Sequence, residues 1–155
     1  MDVPTPERAL LEQVLDLHRG EIAALLDGLD DEQARARLVP SLTTVLGLVK
    51  HATFVEGVWF HSRVGGVSRR ELGLPRTVDE SFTLTPEDGV ASIRAGFEAA
   101  CDRSREVAAQ HPDLDEEFTW HDNPVSLRFV YLHMIGELAR HAGHGDILKE
   151  QLAAR

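Results

Sequence analysis

The chain has 155 residues, and its 16 basic and 26 acidic side chains give a formal net charge of −10 at pH 7. This length suffices for one domain with its own core, so we expect residues 1–155 to form a single domain. The negative charge repels phosphate backbones and excludes nucleic acid as an expected partner. The single cysteine, Cys101, excludes an internal disulfide, favours a cytoplasmic setting and is expected to be a small core residue. No stretch approaches the roughly 20 apolar residues of a membrane span, so no membrane association is expected.

The first half of the chain predicts two long helices separated by a linker. Apolar residues recur at intervals of three and four over residues 6–26, as on the buried face of a helix. Residues 29–40 predict a short helical turn and a linker that ends at a proline. A second helix is expected from a cap at Ser41 or Thr43 to about Arg63. It is apolar around much of its circumference, which is typical of a helix that packs on two sides.

A long connection and a third helix are predicted next. Residues 64–84 show no sustained periodicity, and we expect an exposed connection there with room for one helical turn. Connections of this length in compact domains are often functional. Residues 85–88 combine a capping hydroxyl, a proline and two acids, which predicts a helix from this point to about Gln110.

The remaining residues predict an acidic loop and a final helix. The loop covers residues 113–123, and the Asn-Pro pair at residues 123–124 is expected to begin a helix that ends near Leu152. Four long helices without a convincing strand pattern favour an all-α protein, specifically a four-helix bundle. In such bundles, metal sites are built in the core from side chains on facing helices.

Glu137 and His141 on the last helix stand four residues apart, which places them on one helical face. At this spacing a carboxylate oxygen and an imidazole nitrogen can share one metal ion, while a third ligand must come from another helix. The best upstream candidate is His51, a lone imidazole among apolar residues of the second helix. His133 and His144 remain open as ligands, pocket residues or surface residues. Hydrogen-bonded core histidines would explain the same pattern without a metal.

Other side chains are candidates for a pocket beside such an ion. Trp59 and Trp120 are expected to form an apolar wall, whereas Phe54 at helical spacing is expected to be part of the core. Three arginines are candidates to meet a carboxylate on a substrate, although Arg140 is expected to be a solvated surface charge; they are Arg63, Arg128 and Arg140. Four histidines show no organised partners and receive no role; they are His18, His61, His111 and His121.

The order of these features resembles the DinB-like superfamily of four-helix bundles, specifically a bacterial branch of unknown function. The resemblance covers nearly the whole chain and is carried by residues 38–60 and residues 126–151, with a helix-two histidine followed by an acid and a histidine four residues apart. The combination is similar to the His-Glu-His ligand set of the mycothiol-dependent maleylpyruvate isomerases. The resemblance therefore implies His51, Glu137 and His141 as metal ligands. His144 stands near a position where relatives carry a polar pocket residue.

This resemblance implies a divalent metal, with zinc as the first expectation and nickel, manganese or iron also compatible. Three protein ligands leave a fourth position for a thiol, which would bind as the thiolate. The expected function is a metal-dependent S-transferase or isomerase that uses a low-molecular-weight thiol such as mycothiol and a small electrophile. The alternative is a non-catalytic metal-binding protein with a role in stress or in protein interactions. Relatives also imply a homodimer.

Overall fold

The computed structural model describes residues 5–155, most of which lie in helices. Throughout this part of the chain, every helix is too short or too polar to span a membrane. The helices are α1 (Glu7–Ala24), α2 (Asp31–Arg35), α3 (Val45–Glu56), its π-helical continuation (Gly57–Val64), α4 (Val78–Phe82), α5 (Val90–Ala109) and α6 (Leu127–Ala153). The strands are β1 (Glu117–Trp120) and β2 (Asn123–Ser126).

Helix α3 begins later than the sequence predicted, with its cap one residue after Thr43 and three after Ser41. The cap is Thr44, whose hydroxyl oxygen accepts a hydrogen bond from the amide of Gly47 at 2.9 Å. The predicted caps, Ser41 and Thr43, lie in the preceding turn, where their hydroxyl groups are 3.0 Å apart and hydrogen-bond to each other. Their side chains are therefore not available to the first turn of the helix.

The C-terminal part of this helix is wound as a π-helix, which the sequence did not reveal. The amide of Gly65 donates to the carbonyl oxygen of Phe60 at 2.8 Å, the five-residue spacing of a π-helix. Gly57, where the π-helix begins, allows the connection to pack closely, because a Cβ there would lie 2.7 Å from a methyl carbon of Leu74. Segments of this kind are frequent at functional sites.

Helix α5 begins at Val90, several residues after the predicted start. Residues 85–88 form a turn in which the Asp88 carboxylate accepts the amide of Thr85 at 2.7 Å and the ammonium group of Lys50 at 2.6 Å. The carboxylate is thus used to close the turn and to hold α3. The first amide of the helix, that of Val90, donates instead to the carboxylate of Asp31 at 2.8 Å.

A β-hairpin replaces the predicted acidic loop, and the expectation of no strands was wrong. Strands β1 and β2 are antiparallel, and His121 and Asp122 form the turn with φ of 47° and 62°. Pro124 is tolerated in β2 because a two-stranded sheet has only edge strands. Helix α6 therefore begins at Leu127 rather than at Pro124, and the hydroxyl oxygen of Ser126 caps it by accepting the amide of Phe129 at 3.1 Å.

The long helices pack in the pairs α1 with α6, α3 with α5 and α3 with α6, around an apolar core. A charged pair lies inside this core. Arg19 of α1 donates two hydrogen bonds to Glu56 at the end of α3, each 2.8 Å long, and the Glu56 side chain is 0% exposed. The thiol of Cys101 on α5 lies 4.0 Å from the same carboxylate. The sequence analysis found neither Arg19 nor Glu56.

Candidate metal centre

Three side chains meet where α3 faces α6. Nε2 of His51 lies 3.3 Å from Oε1 of Glu137, and Nε2 of His141 lies 3.1 Å from the same oxygen. One ligand atom from each residue lies within 4.8 Å of the others. Glu137 and His141 occupy successive turns of α6, whereas His51 comes from the buried interior of α3. The structure thus brings together the three residues that the resemblance implied as ligands.

The ring of His51 is held from two sides by α4. Phe82 stacks on it, with ring centroids 4.2 Å apart and an interplanar angle of 10°. The hydroxyl of Ser81 lies 2.8 Å from Nδ1 of His51 and donates its own proton to the carbonyl oxygen of Val78. Because that proton is committed, Nδ1 carries the imidazole proton and donates it to Ser81. Nε2 of His51 therefore presents a lone pair toward Glu137.

This arrangement requires a cation between the imidazole and the carboxylate. The hydrogen bond with His141 is the largest cause that holds the pKa of Glu137 far below its usual range, so the group is a carboxylate at neutral pH. A carboxylate oxygen and an unprotonated imidazole nitrogen both accept hydrogen bonds, and neither donates one. At 3.3 Å they need either an added proton or a metal ion to bind both. Nδ1 of His141 is buried and has no hydrogen-bond partner among the described residues.

A cavity of about 440 Å³ opens beside these groups, and both His51 and Glu137 contribute to its lining. Trp59 and Trp120 form part of its wall, with ring centroids 5.3 Å apart. Phe54 belongs to the core, as expected, but it also lines the cavity, where the sequence analysis had expected only the tryptophans. The volume falls in the range of small-molecule sites.

The two histidines left open by the sequence lie elsewhere. His133 packs against the indole of Trp59, with ring centroids 4.1 Å apart, and burial lowers the pKa of its imidazole. It therefore packs against a tryptophan of the cavity wall and does not join the converging nitrogen and oxygen atoms. His144 is exposed, with its ring 5.4 Å from that of His141, and it lines a separate shallow groove with Ile147.

Of the three arginines proposed to meet a substrate carboxylate, one lies at the cavity and two lie away from it. Arg63 lines the cavity. Arg128 instead forms ion pairs with Glu7 and Asp115, and Arg140 is an exposed residue of α6. Cys101 is buried, as predicted.

Three of the histidines that received no role do have partners, contrary to the sequence analysis. Nε2 of His61 is buried, 3.0 Å from the carbonyl oxygen of Ala100. The others lie on the surface, where Nδ1 of His18 is 2.7 Å from Glu21 and Nδ1 of His111 is 2.9 Å from Glu116. These contacts are structural, and they lie away from the cavity. His121, at the hairpin turn, does line the cavity.

Ser81, Arg69 and Arg76 are site residues that the sequence analysis missed. A signal for Ser81 was present, because Thr77 and Glu80 have the three-residue spacing of a helix cap. In the structure the amide of Glu80 donates to the hydroxyl oxygen of Thr77 at 3.2 Å, which starts the short helix that carries Ser81. No comparable signal marked the two arginines, which lie in or at the edge of an irregular connection.

Comparison with known proteins identifies first the fold and then the family of the chain. The structure is similar to the crystal structure of a DinB-like protein from Bacillus cereus ATCC 10987, with a TM-score of 0.66 and 16% sequence identity over 92% of this chain and 91% of that chain. The fold is therefore DinB-like, as the resemblance implied. The family model described as mycothiol-S-transferase matches residues 10–154, and the chain belongs to this family. A comparison with curated proteins found no match.

Proposed function

We propose that the chain is a metal-dependent S-transferase that joins a low-molecular-weight thiol, mycothiol, to a small electrophile. The observation that carries the proposal is the contact of the Ser81 hydroxyl with Nδ1 of His51, which leaves Nε2 of that ring facing the Glu137 carboxylate, where a proton or a metal ion must lie between the two acceptors. Membership of the mycothiol S-transferase family supports a thiol as one substrate. The adjoining cavity supports a second small molecule as the other.

The three side chains fit a divalent metal by their chemistry. Nε2 of His51, Nε2 of His141 and a carboxylate oxygen of Glu137 would hold the ion, a set of the kind used by catalytic zinc sites with one position left open. Zinc is the first candidate. Nickel, manganese and iron also accept imidazole and carboxylate ligands, and the only cysteine, Cys101, is buried away from the site.

The bound ion supplies one chemical effect, which is to lower the pKa of a thiol so that it reacts as the thiolate near neutral pH. The thiol proton leaves to water in the open cavity. A carbon–sulfur bond then forms on the electrophile while the bond to its leaving group breaks, and the leaving group takes that electron pair. Trp59 and Trp120 exclude water from one side of the cavity and position the electrophile.

We further infer that the long helices form the predicted four-helix bundle. The single domain expected for residues 1–155 is supported by the match of one family model to residues 10–154. The homodimer, the cytoplasmic setting and the lack of a nucleic-acid partner stay predictions. So does the pocket role of His144, which does not line the cavity.

The test compares metal content and transfer activity in three purified, tag-free proteins: wild type, His51→Ala and the control His18→Ala. His18 is a histidine of α1 paired with Glu21, outside the cavity. Elemental analysis after reconstitution with zinc should find about one ion per chain in wild type and control and none in His51→Ala. The rate of conjugation of mycothiol to a fluorogenic alkyl halide should be similar in wild type and His18→Ala and lost in His51→Ala.

Two outcomes would contradict the proposal in different ways. Wild-type protein that takes up no metal would mean that the cation facing His51 is a proton, and the site would be an ion pair. Metal bound through His51 without any mycothiol conjugation, across several electrophiles, would instead favour the non-catalytic metal-binding protein.

A further inference from the structure

The cavity beside the candidate metal centre is positively charged in a protein that is strongly negative overall. Three arginines line it, and they are Arg63, Arg69 and Arg76. Among residues 5–155, its one acidic lining residue is Glu137, whose carboxylate already faces two imidazoles. Within residues 5–155, the arginine and lysine ion pairs all involve other side chains, so none of the three guanidinium groups is neutralised by a carboxylate.

Arg63 is the best positioned of the three. Its guanidinium lies over the indole of Trp59, with the central carbon 3.9 Å from the ring centroid. Its Nε donates to the carbonyl oxygen of Thr119 on β1 at 3.2 Å. These two contacts fix the plane of the group without using its terminal nitrogens, and Nη1 is buried with no partner among the described residues.

In the part of the chain that the structure describes, the guanidinium of Arg63 has no negatively charged group beside it to balance its charge. Burial, together with the charge of Arg69, lowers the pKa of Arg63, although a guanidinium remains protonated in proteins. A guanidinium that lines the cavity and has no carboxylate partner among the described residues is free to donate charge-assisted hydrogen bonds to an oxyanion there. Arg69 and Arg76 are exposed residues at the same cavity, where they would attract an anion from solvent.

We propose that the electrophilic substrate is an anion, and that Arg63 holds its carboxylate or other oxyanion while Arg69 and Arg76 assist its entry. This inference rests on the proposed S-transferase function and names the class of its second substrate. The charge is assigned to the electrophile because mycothiol carries sugar hydroxyl and amide groups and no carboxylate. The hairpin has a defined role in this account, since Thr119 orients Arg63 and Trp120 covers the cavity.

The first experiment measures anion binding without turnover. Both tryptophans of the chain, Trp59 and Trp120, line the cavity, so intrinsic fluorescence reports directly on its occupancy. Benzoate is titrated against its neutral counterpart benzamide, with wild type, Arg63→Gln and the control Arg140→Gln. The same titration of metal-free His51→Ala separates binding at arginine from binding at a metal.

Benzoate should bind to wild type, Arg140→Gln and His51→Ala, and at least about tenfold more weakly to Arg63→Gln, the loss expected when a charge-assisted hydrogen bond is removed. Benzamide should bind weakly to all four. Equal binding of benzoate and benzamide, or benzoate binding that is lost in His51→Ala and kept in Arg63→Gln, overturns the proposal. If Arg63→Gln does not fold, the double variant of the exposed Arg69 and Arg76 to Gln replaces it and should weaken benzoate several-fold.

The second experiment separates this inference from the proposed function. Conjugation of mycothiol is measured with iodoacetate and iodoacetamide, where the thiolate displaces iodide, and each rate is divided by the uncatalysed rate. Arg63→Gln should raise the KM for iodoacetate at least about tenfold more than it raises the KM for iodoacetamide. Equal losses with both reagents would overturn the inference alone. Absence of conjugation in wild type would overturn the transferase, while the benzoate titration would still decide the anion site.

Discussion

Helix α3 carries two buried polar side chains, His51 and Glu56, and each reaches across to a different helix. Glu56 meets Arg19 of α1 in two parallel hydrogen bonds of 2.8 Å, which match the planar guanidinium to the carboxylate. His51 meets Glu137 of α6 with a lone pair directed at an anion. The first pair is complete within the protein, whereas the second needs a cation. Burial of polar groups alone therefore does not identify a functional site, but an unmet requirement for a charge does.

The pKa values at the Arg19–Glu56 pair, the first region, and at the His51–Glu137 pair, the second region, agree with this difference in pairing. The Glu56 carboxylate, by its hydrogen bonds and charge, raises the pKa of Arg19 above its usual range despite the burial of that group. The low pKa of Glu137 keeps its charge available at neutral pH. Arg19 and Glu56 neutralise each other, while the Glu137 carboxylate is paired, among the described residues, with the imidazoles of His51 and His141 alone. Of the two regions, the second is the one whose carboxylate has no guanidinium or ammonium partner within residues 5–155.

The largest expected effect comes from breaking the complete pair. Glu56→Ala removes the buried partner of Arg19 and leaves only the exposed carboxylate of Asp16, 2.9 Å from Nη1, so it should lower the free energy of unfolding by about 3–5 kcal/mol. Urea denaturation followed by circular dichroism measures this loss. The control is Glu21→Ala, which removes a surface carboxylate paired with His18 and should change stability by less than about 1 kcal/mol. A similar small loss in both variants would mean that the interior pair is no more than a solvated contact.

A smaller effect is expected at the second region, and it should appear in metal affinity rather than in stability of the metal-free protein. Glu137→Gln keeps the shape but removes the charge, and it should weaken zinc binding by more than about 100-fold, because even partners outside the ligand set cost 10–100-fold. His144→Ala should change the affinity by less than about tenfold. Competition with a fluorescent chelator gives both values. The reverse ranking would assign the ligand position to His144 instead.

The smallest effect concerns the thiol beside the complete pair. Burial and the Glu56 carboxylate raise the pKa of Cys101 to about 12, whereas an unfolded cysteine ionises near 8.5. Stability from this group is thus present below about pH 8.5 and declines as pH rises toward 12, because only the unfolded chain loses the proton. Between pH 8 and pH 10, wild type should lose about 1–2 kcal/mol more than Cys101→Ala.

Comparison of the two pH slopes, rather than of the absolute stabilities, removes the cost of the small cavity that Cys101→Ala creates. Equal slopes would mean that the thiol ionises normally in the folded protein. Metal content should be the same in both proteins, since Cys101 lies at the Arg19 and Glu56 pair and not at the cavity with Glu137. A loss of metal in Cys101→Ala would contradict the separation of the two regions.

The sequence predicted the long helices well because their buried faces repeat with helical periodicity. The ends were less accurate, since competing side chains decide them: Asp88 closes a turn with Thr85, and Ser41 bonds Thr43, so neither starts a helix. The hairpin was missed because each strand has only four residues, too few for a clear alternation. Its turn uses His121 and Asp122 with positive φ instead of glycine.

At the candidate site, the spacing of Glu137 and His141 indicated one helical face, and a lone imidazole among apolar residues marked His51 as the best upstream candidate. The family resemblance then implied all three as ligands. The spacing could not reveal that Ser81 fixes the tautomer of His51, because these residues are thirty apart and meet only in the folded chain. The pair of Arg19 and Glu56 was equally invisible, since thirty-seven residues separate its members. Long-range polar contacts depend on how the helices are rotated about their axes, which periodicity fixes only coarsely.

Helix α4 is a single short turn within the connection between α3 and α5, yet it supplies the described hydrogen-bond acceptor of Nδ1 of His51. We expect that local opening of this turn would free the imidazole to exchange its proton between its two nitrogens and to rotate. The lifetime of a cation on His51 would then depend on the opening rate of residues 78–82 as well as on bond strength. Hydrogen exchange at the amides of residues 78–82 measures the opening rate, and comparison with the rate of metal release would show whether the two rates are equal.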